Sequence, residues 1–168
     1  MNISEDLKQK AIKLNLCKEW TDGWQDPDLD SMCEMFVTGQ DFCIKNDYPS
    51  TEYIKANFGD VAKNHGIFTD SKISIENPDV AILLGKTTGD ITLSGYVSRD
   101  IYVRHDSEVH ITIKDSAKSF IRVFNNAKVT VDNQSDGRVF VYKYTDGFNG
   151  KIYTGGDVLI REKTFKDL

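Results

Sequence analysis

The chain has 168 residues, enough for one domain or for a small domain joined to a repeat. Apolar residues at 39% and charged residues at 28% exclude wholesale disorder. A net charge of -5, with no segment dominated by Lys and Arg, argues against bulk nucleic-acid binding through phosphate neutralisation and leaves room only for a small local basic patch.

The first six residues, Met1-Asn2-Ile3-Ser4-Glu5-Asp6, contain neither a basic nor an apolar region, so no signal peptide is expected. No apolar run approaches the roughly 20 residues that cross a bilayer, and no membrane partner is expected. Cys17, Cys33 and Cys43 lack CxxC spacing, and reduced thiols in a cytosolic compartment are the simplest reading.

Residues 1–70 read as a helical region. Ser4 is suited to cap a first helix, with Glu5 and Asp6 in its positive first turn and Leu7, Ala11 and Leu14 along its apolar side. The stretch from Cys17 to Trp24 reads as a loop carrying both tryptophans. Trp20 and Trp24 are therefore candidates for contact with a ligand or partner, against the plainer reading of core packing. Pro27 falls near the start of a second helix with Leu29, Met32, Cys33 and Phe36 inward and Gly39 as its stop. Phe42, Cys43 and Ile44 suggest a short helix broken at Tyr48-Pro49. Ser50 opens another, in which Tyr53, Ile54 and Phe58 face inward before Gly59 ends it.

From about residue 71 to 168 the apolar period changes from 3.6 to 2. Between Pro78 and Asp157 the sequence aligns with itself in rows of twenty. Ala81, Ile101, Ile121 and Val141 share a column, as do Leu83, Val103 and Val123. Gly89, Val109 and Val129 form another, and Ile91, Ile111 and Val131 a fourth. Such a repeat marks units that bury their apolar faces only against their neighbours. Each row carries two short strands and two corners built from Asp, Asn, Ser or Gly, residues that tolerate the left-handed conformation. The fold class expected is α+β: a helical N-terminal region capping a short parallel β-solenoid with two strands per coil. An antiparallel β-meander is the alternative, but it calls for tight two-residue turns, and only Asp146-Gly147 resembles one. Lys143 and Lys151 fall in otherwise apolar columns, which suggests a distorted last coil. The charged run Arg161-Glu162-Lys163 reads as a tail that discourages edge pairing.

The outward positions of the first strand in each row are unusually aromatic. They read Val80, Ile82, Leu84; then Asp100, Tyr102, Arg104; then Phe120, Arg122, Phe124; then Phe140, Tyr142, Tyr144. The first three suit cover by the N-terminal helices. The rest form a candidate binding face, open to an intramolecular cover, a second copy of the chain, a partner protein, or a stacked sugar or base. The chain has no GxSxG, HExxH, P-loop or helix-opening GxGxxG motif. His65, His105 and His110 do not converge on a common face, and Asp100 beside Arg122 reads as a surface ion pair. No catalytic residue, metal or cofactor is therefore expected.

The segments Asp115-Ser116-Ala117 through Ile121, and Asn125-Asn126-Ala127-Lys128-Val129-Thr130-Val131, resemble the tandem NAxVxV/DSAxVxV repeats of β-solenoid proteins common in phages and mobile elements. The segment from Asp41 to Pro49, with Cys17-Lys18-Glu19-Trp20 upstream, is similar to uncharacterised proteins of gut Bacteroidetes and their phages. The resemblance covers most of the chain and carries architecture rather than activity. It implies a phage or mobile element as the source, and with the aromatic and Arg face and the lack of a catalytic motif the expectation is a non-catalytic protein-interaction module located in the host cytoplasm or the virion. An inhibitor of a bacterial defence protein and a carbohydrate-binding or carbohydrate-cleaving module are the alternatives. The expected partner is a protein or a second copy, with a glycan as the other candidate.

Overall fold

The computed structural model describes residues 2–168, and the described chain divides after His65 into a helical unit and a strand-built unit, Gly66–Leu168.

The helical unit holds α1 (Ile3–Lys13), α2 (Lys18–Asp22), α3 (Leu29–Thr38), α4 (Gln40–Asn46), α5 (Thr51–Asn57) and α6 (Gly59–Asn64). Capping by short polar side chains sets several starts, because the first backbone N–H groups of a helix have no partner within it. Asp28 accepts from Ser31 N at 2.8 Å, and Ser50 accepts from Tyr53 N at 3.2 Å. The cap of α1 is Asn2, which accepts from Glu5 N at 2.7 Å, and not Ser4. Ser4 lies inside the helix and is buried, its hydroxyl accepting from the Trp24 indole at 3.0 Å. The expected loop at Lys18–Asp22 is helical, since one short turn buries part of Trp20 while leaving its charged residues outside. At Gly59 the backbone takes φ 53°, a left-handed value that separates α5 from the single turn of α6.

The second unit contains β1 (Ile67–Thr69), β2 (Lys72–Glu76), β3 (Val80–Leu84), β4 (Thr88–Leu93), β5 (Ser98–Val103), β6 (Glu108–Ile113), β7 (Lys118–Val123), β8 (Lys128–Asn133), β9 (Val139–Tyr144), β10 (Lys151–Gly155) and β11 (Val158–Lys163). Odd strands form one six-stranded sheet in the order β1-β3-β5-β7-β9-β11, and even strands form a five-stranded sheet, β10-β8-β6-β4-β2. Every pairing is parallel, which establishes the β-solenoid and excludes the meander. The strand region opens at Ile67, a few residues earlier than the period change suggests, because β1 is too short to show alternation.

The register follows the twenty-residue columns. Ala81, Ile101, Ile121 and Val141 are successive partners, and so are Gly89, Val109 and Val129. Apart from Gly89, which has no side chain, these residues fill one continuous core between the two sheets. Parallel pairing stacks like residues at about 4.8 Å, so a column that is apolar once must be apolar throughout to stay dry. The corners repeat as well. His105, Asp115 and Asn125 all take φ 57°. Asn125 Oδ1 accepts from His105 N at 3.0 Å, and His105 Nδ1 accepts from Gly85 N at 3.0 Å. Each corner side chain thus satisfies the backbone of the coil before it, two hydrogen bonds that a longer loop would leave to water.

The last coil departs from the repeat, though not as Lys151 suggests. The step from Lys128 to its partner Lys151 is 23 residues, so Lys151 falls in the polar column of Glu108 and Lys128 and not in an apolar one. The step from Val139 to Val158 then shortens to 19. Lys143 does stand opposite Val123 in an inward column. It is half-buried, with Nζ 5.0 Å from the centre of the Phe148 ring and 3.8 Å from Glu162. Arg161, Glu162 and Lys163 are not a tail. They complete β11 and pair with Tyr142, Lys143 and Tyr144. A 3-10 turn at Phe165–Asp167 closes the chain, with Thr164 N donating to the Asp167 carboxylate at 2.7 Å.

Candidate functional site: the aromatic and cationic sheet face

The outward face of the odd-numbered sheet contains three columns, and the structure treats them differently. Ile82 and Leu84 are fully buried, whereas Val80 is half-buried. The column that follows Leu84 is buried too: Arg104 is 3% exposed, Phe124 1% and Tyr144 4%. These three were candidates for an open surface and are not available as one. The Phe124 and Tyr144 rings stack at 4.4 Å, and the 3-10 turn brings Phe165 within 6.4 Å of Phe124. Burial pushes the Tyr144 hydroxyl pKa up, and the nearby Arg122 charge only partly offsets it.

The remaining two columns stay accessible. One reads Asp100, Phe120, Phe140 and Leu159; the other reads Tyr102, Arg122, Tyr142 and Arg161. Phe120 is 38% exposed, and Phe140, Tyr102, Tyr142 and Arg122 are half-buried. The arrangement is a ladder of rings and cations. Arg122 lies 4.8 Å from the Tyr102 centroid, Arg161 lies 5.1 Å from Phe140, and Lys163 lies 4.8 Å from Tyr142. Phe120 runs nearly parallel to both Phe140 and Tyr142, each at 6.4 Å and 12°. Arg122 Nη1 also donates to Asp100 Oδ1 at 2.8 Å. Burial alone would lower the Arg122 pKa, but the Asp100 hydrogen bond and the surrounding Tyr and Asp groups outweigh it and the net direction is upward. The guanidinium is therefore held charged on a partly desolvated sheet.

This geometry limits what the face can recognise. Parallel stacking between coils turns ring faces toward one another and toward the cations, leaving ring edges and charged rims for a partner. Arg161 and Lys163 belong to the ladder, although their charge reads as a solvated tail. The only sign of this in the sequence is that β11 rejoins the repeat after a step of 19 residues rather than 20.

The two tryptophans belong to the helical unit. Trp24 is buried and donates its indole N–H to Ser4 Oγ, so it forms part of the interior of the helical unit. Trp20 is half-buried on α2. Among the described residues, no helix is long and apolar enough to cross a membrane. No family model matches the chain, and neither a curated protein nor a solved structure matches it significantly.

Proposed function

We propose that this chain is a non-catalytic protein-interaction module that binds through the accessible half of the ladder: Tyr102, Phe120, Arg122, Phe140 and Tyr142, flanked by Asp100, Arg161 and Lys163. One observation carries this reading. Half-exposed rings and charges stand in fixed register on a rigid parallel sheet, so the surface is organised before any partner arrives and little side-chain freedom is lost on binding. Aromatic residues and Arg are also the types enriched where protein interfaces concentrate their binding energy. The engaged ring faces favour a protein over a stacked sugar. The resemblance of the repeats adds a phage or mobile element as the source, and a chain of that source would meet a host protein, such as a defence component, as its target.

The test compares wild type with Tyr102→Ala/Tyr142→Ala in co-purification from a bacterial lysate, alongside light scattering for self-association. The expected result is a partner or a second copy retained by the wild type and lost by the variant, with the thermal midpoint within a few degrees. Equal retention by both proteins would remove the ladder as the binding surface. Binding by the wild type to a glycan array, lost in the same variant, would replace the protein partner with a carbohydrate.

A further inference from the structure

A second site lies wholly within the helical unit and owes nothing to the ladder. A cavity of about 280 Å³ opens among its helices, and every residue that lines it precedes Gly59. Leu7 and Ala11 of α1 and Met32 and Phe36 of α3 form a buried floor. The rim is more exposed: Trp20 of α2 is half-buried there, and Asp41 and Lys45 of α4 are open to water. A void of 150 Å³ lined by Leu, Ile and Phe is enough to hold benzene, so this one accommodates about twice that bulk.

We propose that this cavity binds one small uncharged apolar molecule, about the size of a bicyclic aromatic or an eight-to-ten-carbon chain. Its wall offers dispersion contacts and few free polar groups. The Tyr48 hydroxyl donates to Leu7 O at 2.7 Å, and the Trp24 indole N–H is spent on Ser4 Oγ at 3.0 Å. Leu7, Ala11, Met32 and Phe36 carry no charge, so an ion settling on this floor would lose its hydration without gaining a counter-charge from it. At the rim Asp41 and Lys45 are opposite in sign and four residues apart on α4, so the mouth has no net charge to select an ion. Met32 and Met35 supply flexible thioethers that adapt to ligands of different outline.

The chain contains two tryptophans, and both line this cavity, so intrinsic fluorescence reports its occupancy directly. The experiment titrates the full chain with n-octanol, which is transparent where tryptophan absorbs, and with octanoate as the charged counterpart. The expected result is a saturable change in emission with octanol, one molecule per chain by calorimetry, and binding of octanoate at least roughly tenfold weaker. Ala11→Leu fills the floor and Met35→Phe narrows the wall; each is expected to weaken octanol binding by roughly tenfold or more while the protein stays folded. Should Ala11→Leu fail to fold, Met35→Phe, at a half-buried position, makes the comparison. The absence of a saturable change up to the solubility of octanol would overturn the proposal, as would octanoate binding as tightly as octanol or unchanged affinity in the folded variants. None of these outcomes bears on the ladder, whose residues lie in the other unit.

Discussion

Arg122 sits over the ring of Tyr102, one coil away, with 4.8 Å between guanidinium carbon and ring centroid. The Asp100 carboxylate holds it there through a 2.8 Å hydrogen bond. A cation over a ring in a partly desolvated setting contributes about 0.5–2 kcal/mol. A double-mutant cycle with Arg122→Met and Tyr102→Leu, followed by urea unfolding, is expected to return a coupling of that size. Strict additivity would mean that the two side chains are neighbours without being energetically linked.

Gly89 breaks the Val column of its neighbours Val109 and Val129, so repeat logic suggests Gly89→Val as an improvement. The structure predicts the opposite. Gly89 takes φ 139°, and a Cβ there would run into the Ile73 carbonyl of the paired strand. Both the conformation and the space demand glycine. Gly89→Val is expected to lower the thermal midpoint sharply or prevent folding, measured by circular dichroism on heating. A midpoint equal to or above wild type would show that the first coils can shift to admit the side chain.

Inner and outer columns should respond very differently to truncation. Ile111 is completely buried in the middle of the stack, and Ile111→Ala is expected to cost about 2–5 kcal/mol, the transfer of its methyl groups plus the cavity left behind. Thr130 faces outward and is exposed, and Thr130→Ala is expected to change stability by less than about 0.5 kcal/mol. Chemical unfolding of both variants measures the contrast. Comparable losses would mean that the outer face also bears on the stability of the coil.

The cysteines should separate by reactivity. Cys17 is exposed, whereas Cys33 and Cys43 are buried. Burial, with the Asp30 and Glu34 charges adding to it, pushes the Cys33 thiol up to about 11. A raised pKa keeps the thiol neutral and unreactive below that value, so any labelling of Cys33 should climb as pH rises toward it. At about pH 8 iodoacetamide is expected to modify Cys17 alone in the folded protein, and all three after denaturation, read by peptide mass spectrometry. Early labelling of Cys33 would indicate that α3 opens readily.

Much of the strand unit could be read in advance because stacking in register forces each column to repeat its polarity. Ile101, Ile121 and Val141 advertise a shared environment before any coordinate is known. The corners were legible for a related reason: Asp115 and Asn125 occupy left-handed positions that few side chains tolerate. The helical unit was legible in outline, through Pro27, Ser50 and the apolar spacing of α3, but not in detail. One turn of helix at Lys18–Asp22 leaves too short a pattern to distinguish from a loop, and Asn2 and Ser4 are equally good caps when judged by type alone.

The candidate sites divide along the same line. Sequence by itself determined that aromatic and cationic residues share one outward side of a repeating coil, because alternation and a fixed period assign every side chain to a face. Only the tertiary structure decided that Arg104, Phe124 and Tyr144 are withdrawn from solvent, that Arg161 and Lys163 extend the ladder, and that helix packing leaves a cavity beside Trp20 and Trp24. Each of those outcomes depends on contacts between residues whose sequence separation follows no period. A repeat specifies neighbours within the stack; it carries no information about where a chain end folds back or how imperfectly short helices fill the space between them.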